Sequence, residues 1–81
     1  MTVEIKVFGP GCDRCKQLAK NATEAVAELA MDAEVTEVHD VEAIVSAGIM
    51  QTPGLMVGGK VVSSGRVPSV GQLKEILSTD A

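Results

Sequence analysis

The chain has 81 residues, 46% apolar and 22% charged, a balance that argues against disorder and leaves room for a single domain, residues 1–81, with a small core. Eleven acidic against seven basic residues give a formal net charge of −4, and the basic residues form no run, which argues against a nucleic-acid binder. No stretch approaches the roughly 20 apolar residues of a membrane span, and the opening MTVEIKVFGP holds too short an apolar run for a signal peptide, so a cytoplasmic protein is expected.

Thr2–Phe8 alternates, with Val3, Ile5 and Val7 on one face, and reads as a strand that Phe8 closes. Gly9, Pro10 and Gly11 then break it. From Asp13 the period changes. Cys15, Leu18, Ala22, Val26 and Leu29 fall three or four apart and Ala25 joins their stripe, so one helix of about five turns is predicted from 13 to 30. Its alanines, lysines and glutamates favour helix, and Asn21 and Thr23 are weak formers but not stops. Ala33–His39 returns to alternation and reads as a second strand. Asp40 is placed to cap a short helix, Val41–Ala47, with Gly48 as its stop and Ile49–Pro53 as a loop. Gly54–Val57 and Lys60–Ser64 are two short strands joined by Gly58-Gly59, a hairpin signal. Ser69 with Gln72 three residues later forms a capping-box pattern, and Val70, Leu73, Ile76 and Leu77 give the last helix its apolar stripe.

The predicted order is β–α–β–α–β–β–α. The first βαβ unit should be parallel and right-handed, and the terminal hairpin makes the four-stranded sheet mixed, with helices on both faces. This is an α/β layout similar to the thioredoxin-like fold in its minimal, glutaredoxin-sized form.

Cys12 and Cys15, the two cysteines of the chain, stand three apart at the start of the first helix. There they lie on one side, close enough to bridge, where unsatisfied N–H groups and the helix dipole stabilise a thiolate. The thiolate is the nucleophile of disulfide exchange. In a reducing cytoplasm such a pair reads as catalytic or metal-binding, because a lasting structural disulfide is not expected and the loop it would close is very short. Cys15 continues the buried stripe and should be shielded, whereas Cys12 lies on the glycine turn and should be reachable. Cys12 is therefore assigned as the attacking nucleophile and Cys15 as the resolving thiol. The competing reading is a soft-metal carrier holding Cu(I) or zinc on the same two thiolates. A structural zinc site needs four ligands, and His39 is the one further ordinary candidate, so carboxylates or a second chain would have to complete it.

GPGCDRC together with MQTPGLMVGGKVVSSGRVPS resembles the small glutaredoxin-like, thioredoxin-fold redox-active disulfide proteins of bacteria and archaea, over nearly the whole chain. The resemblance implies a cis peptide bond at Thr52-Pro53, opposite the cysteines, with the backbone of Thr52 pairing with an extended substrate segment. It also implies that Gly65 and Arg66 lie beside the cysteines, where Arg66 either meets an anionic substrate group or faces solvent. The sequence departs from thioredoxins in having Gly11 where they carry tryptophan, Asp13-Arg14 between the cysteines, and Lys6 near the place of their buried acid. Lys6 either favours a thiolate or is solvated. Arg14 and Lys16 are available to assist the Cys12 thiolate, subject to solvent screening. His39 is expected in solvent at a strand end, while Ile49, Met50 and Met56 are available as an apolar rim for protein substrates, with Met56, in a strand, better suited to the core.

Glutaredoxins match locally in PGC and TPGLMVGGK, but SSGRVPS replaces the Gly-Gly and acidic pair with which they hold glutathione. The expected electron donor is therefore a flavoprotein of the thioredoxin reductase type rather than glutathione. No bound cofactor or metal is expected, the redox group being the Cys12–Cys15 disulfide itself, and the protein is expected to be a monomer acting on disulfide-containing proteins. Copper-chaperone domains place a CxxC similarly but run β–α–β–β–α–β, and the order predicted here differs from theirs at its end.

Overall fold

The computed structural model describes residues 2–11 and 13–80, the Asp80 side chain excepted. Its elements are β1 (Val3–Phe8), α1 (Asp13–Leu29), β2 (Ala33–Val38), α2 (Val41–Ser46), β3 (Gly54–Val57), β4 (Lys60–Ser64) and α3 (Val70–Asp80), in the predicted order. The four strands form one sheet in the order β2-β1-β3-β4. β1 pairs in parallel with β2 and antiparallel with β3, and β3 pairs antiparallel with β4, so the sheet is mixed.

Strand alternation decides what each face buries. Ile5 and Val7 of β1 and Leu55 and Val57 of β3 point to the face covered by α1 and α3, where they pack with Leu18, Ala22, Ala25, Leu73 and Leu77. Leu18, Leu55 and Leu73 are completely buried, and each such side chain contributes about 1.5–3 kcal/mol through burial. Phe8 does more than close its strand. It is buried on the opposite face, where Ile44 of α2 and Ile49 join it in a smaller second core, with Val38 and Met56 packed alongside. This two-sided burial places β1 in the middle of the fold, and its C-terminal end between the two layers.

Local chemistry sets the element ends. α1 stops in a Schellman-type cap: the Met31 N–H donates to the Val26 carbonyl (3.1 Å) and the Ala30 N–H to the Ala27 carbonyl (3.2 Å), with Ala30 at φ +52°. The Asp40 side chain accepts the Glu42 N–H at 3.1 Å and caps α2. In the capping box of α3 the Gln72 N–H donates to Ser69 Oγ and the Ser69 N–H to Gln72 Oε1, at 3.2 and 2.9 Å. Gly58 and Gly59 both adopt positive φ, +58° and +84°, as a two-residue turn of the primed type requires. β4 carries one feature that the residue pattern does not announce. Leu55 pairs with Ser63 but Met56 with Val61, so Val62 is an extra residue, a β-bulge in an outer strand. Among the described residues no helix is long and apolar enough to cross a membrane.

Candidate active site at the start of the first long helix

Cys12 lies outside the described residues; Gly11 before it and Asp13 after it do not. Gly11 has φ +90°, a conformation glycine adopts without strain, and Asp13 opens α1. Cys15 sits in the first turn of that helix and is 1% exposed, because the stripe it shares with Leu18 and Ala22 faces the sheet. The shielding expected of Cys15 is thus what the packing produces.

What faces Cys15 is the end of β1 and the loop before β3. A β-carbon on Gly9 would overlap Cys15 Sγ, lie 3.2 Å from the Cys15 Cβ and 3.8 Å from the Thr52 Cβ. Gly9 is therefore the gap into which the Cys15 sulfur fits, with Thr52 close by. The Gly9 N–H donates to the Val38 carbonyl at 2.9 Å, which fixes the backbone at this point. The Thr52-Pro53 bond is cis. Thr52 is exposed and Pro53 buried, so the loop presents the threonine outward while the proline ring packs inward. Behind it Gly54 admits Ile49, whose Cγ2 would stand 2.7 Å from a β-carbon there.

The turn after β4 closes the third side. Gly65, at φ +74°, donates its N–H to the Pro53 carbonyl (2.9 Å), and Ser64 Oγ donates to the Gln51 carbonyl (3.2 Å). Arg14 Nη2 donates to the Gly65 carbonyl at 3.0 Å. The guanidinium that meets Gly65 is thus the one between the cysteines. The Arg66 side chain lines a cleft between β4 and α3 together with Val62, Val67, Gln72 and Glu75. Thr52, Pro53 and Gly65 gather around the start of α1, and among the described residues the hydrogen bonds of the site run through Gly65 and not through Arg66.

Other charged groups take surface positions. Lys6 is half-buried on the α2 face of the sheet, paired across the strands with Met56 and Thr36. His39 is exposed, with Nε2 3.4 Å from Glu37 Oε1, and its ring stands beside Gly11, the Cε1 atom 3.8 Å from where a β-carbon would be. Met50 is 94% exposed, next to the loop, whereas Ile49 and Met56 belong to the second core. Among the described residues no charged or polar side chain is buried, and no three His, Cys, Asp or Glu side chains form a set that could hold a metal ion.

Gly9 and Arg14 are the two residues whose site roles the sequence did not disclose. Gly9 looked like one of several strand breakers, and its partner sulfur is reached only through the fold. Arg14 had a signal, its place between the cysteines, but its acceptor lies 51 residues away.

Comparison with known proteins bears on this geometry. The family model described as "Thioredoxin domain" matches residues 3–78. A protein named thioredoxin from Methanothermobacter thermautotrophicus is 43% identical over 76 residues, covering 94% of this chain and 99% of that one. A protein of the same name from Methanocaldococcus jannaschii is 40% identical over 77 residues, covering 95% of this chain and 88% of the other.

Proposed function

We infer the reaction from one premise: this chain belongs to the thioredoxin domain family, a family of thiol–disulfide oxidoreductases. Such a protein acts on disulfides and is returned to its starting state by a reductase. The reading proposed for this chain is dithiol exchange through Cys12 and Cys15. The Cys12 thiolate attacks one sulfur of a substrate disulfide, the S–S bond breaks, the leaving sulfur departs as a thiolate, and a mixed disulfide joins Cys12 to the substrate. Cys15, having released its proton to water, then attacks the Cys12 sulfur and expels the second substrate thiolate. Two electrons pass to the substrate, the Cys12–Cys15 disulfide remains, and the reductase supplies two electrons to reopen it.

The observation that carries this reading is the position of Cys15: in the first turn of α1, 1% exposed, its sulfur seated in the gap at Gly9. A thiol so shielded is poorly placed to meet a bulky disulfide, and well placed to resolve one delivered by a neighbouring cysteine. Among the described residues the backbone of Thr52 makes no hydrogen bond, which leaves it available to an added substrate strand. Gly65 supports that loop, and Arg66, exposed in the same turn and lining the cleft between β4 and α3, is available to an anionic group on the substrate rather than required for the exchange. The proposed donor is a flavoprotein of the thioredoxin reductase type, with no bound cofactor in this chain, acting as a monomeric single domain, residues 1–81, in the cytoplasm.

The test is a titration of metal-free protein in defined thiol–disulfide buffers, read by alkylation and mass because the chain has no tryptophan or tyrosine. One reversible two-electron transition, abolished by Cys12→Ser, is expected, and Cys15→Ser should accumulate the mixed disulfide. A pair that does not cycle, or that binds one equivalent of metal instead, refutes the reading.

A further inference from the structure

Arg14 reaches across the site. Its Nη2 donates to the Gly65 carbonyl at 3.0 Å, and the Gly65 N–H donates to the Pro53 carbonyl at 2.9 Å. Three segments distant in sequence are therefore bonded in series: the start of α1, the turn after β4 and the loop before β3. The middle link is conformationally the loosest. Gly65 carries the backbone freedom of glycine, and Ser64 and Arg66 on either side are exposed. It cannot be stiffened by a side chain, because a β-carbon there would overlap Gln51 Oε1 and lie 2.9 Å from the Gln51 Cβ. What holds the turn is its hydrogen bonds, and one of them comes from Arg14.

Resting on the dithiol-exchange reading above, we propose that Arg14 is a positioning residue for protein substrates: it clamps the Gly65 turn, and through it the Thr52-Pro53 loop, at a fixed distance from the cysteine-bearing helix. Both backbone groups of Gly65 are occupied, the carbonyl by Arg14 and the N–H by Pro53. Thr52 is then the backbone position left open to an incoming extended segment, and the substrate is read along one side of the site. A loop already ordered in its bound shape loses less entropy when the substrate docks, so the clamp acts on binding of a polypeptide. A small disulfide that reaches only the sulfur has no use for the loop.

The test compares wild type, Arg14→Met and Arg14→Lys with two substrates, insulin and hydroxyethyl disulfide, and follows amide hydrogen exchange at Gly65. Arg14 is exposed, so the variants should fold, which a thermal melt verifies. Arg14→Met, which keeps length without charge or donor, should raise KM for insulin about three- to tenfold, the range for one ordinary net hydrogen bond, since solvent screens the exposed charge. Its kcat/KM for hydroxyethyl disulfide should stay within about twofold, exchange at Gly65 should speed up, and Arg14→Lys should recover part of both losses. Equal slowing with both disulfides overturns the proposal, since Arg14 would then act on the thiols. Unchanged exchange at Gly65 overturns it too. A wild type inert toward both disulfides refutes the underlying reading instead, and is told apart by Gly65 exchange that still responds to Arg14→Met.

Discussion

Replacing Gly9 by alanine tests the packing at the centre of the site. The position is buried, and its φ lies outside the left-handed region, so alanine fits the backbone without strain. On backbone grounds alone the change should stabilise the protein by about 0.4–1 kcal/mol, through loss of freedom in the unfolded chain. The new methyl, however, would occupy the space of Cys15 Sγ and stand 3.2 Å from the Cys15 Cβ. Overpacking of this kind costs about 1–3 kcal/mol, which offsets the entropic gain and leaves a net loss of up to about 2.5 kcal/mol, centred on about 1. In a domain of this size each kcal/mol lowers Tm by about 4–8 °C. The decisive assay is a double-mutant cycle with Cys15→Ala, by urea unfolding of reduced proteins followed by far-UV circular dichroism. Removing the sulfur vacates the space the methyl needs, so Gly9→Ala should be nearly neutral in that background, with a coupling of about 1 kcal/mol or more. Additivity within about 0.5 kcal/mol would refute the claim that Gly9 is the gap for the Cys15 sulfur.

Other positions yield equally direct expectations. Ala30→Gly should stabilise the protein by about 0.5–1 kcal/mol in urea unfolding, since it relieves a left-handed residue at the α1 cap that costs alanine about 1–2 kcal/mol. Leu73→Ala, at a fully buried site between α1, α3 and the sheet, should cost about 2–5 kcal/mol, a large part of a total of about 5–15 kcal/mol, and its urea midpoint would show this. Ser69→Ala removes one half of the α3 capping box and should lower stability by about 0.5–2 kcal/mol, while Ser69→Asp should keep most of it in the same assay.

The order and type of the elements were legible because each rests on local chemistry. Period-two and period-3.6 patterns separate strand from helix, Asp40 and Ser69 announce their caps, and Gly58-Gly59 admits the tight turn that its two positive φ angles require. The cysteine-bearing helix start and the Thr52-Pro53 loop were legible for a different reason, as short motifs shared with a known group of proteins. What stayed hidden depends on contacts between distant segments. Nothing near Gly9 says that a sulfur six residues on folds back over it, and nothing near Arg14 names a carbonyl on the far hairpin. Phe8 looked like the end of a strand because the helix that covers its other face is only six residues long. Ala30 ends α1 without the glycine or asparagine that signals such a stop, so the helix boundary was read one residue late.

The surplus Val62 has a consequence for how this protein behaves in a crowd. β4 is an outer strand, and its Val61 and Val62 stand at the border of the sheet, where another chain could add a strand. The bulge interrupts the ladder between Leu55 and Met56, bending the edge so that it offers no long flat row. Deleting Val62 would leave Gly54 opposite Ser64 and Val57 opposite Lys60, a regular ladder in the same register. The molecule would keep its hairpin and gain a straight, valine-bearing border. Such a variant is expected to self-associate more strongly than the natural chain in sedimentation runs at matched concentration, the outcome that would tie this one extra residue to the behaviour of the sheet edge.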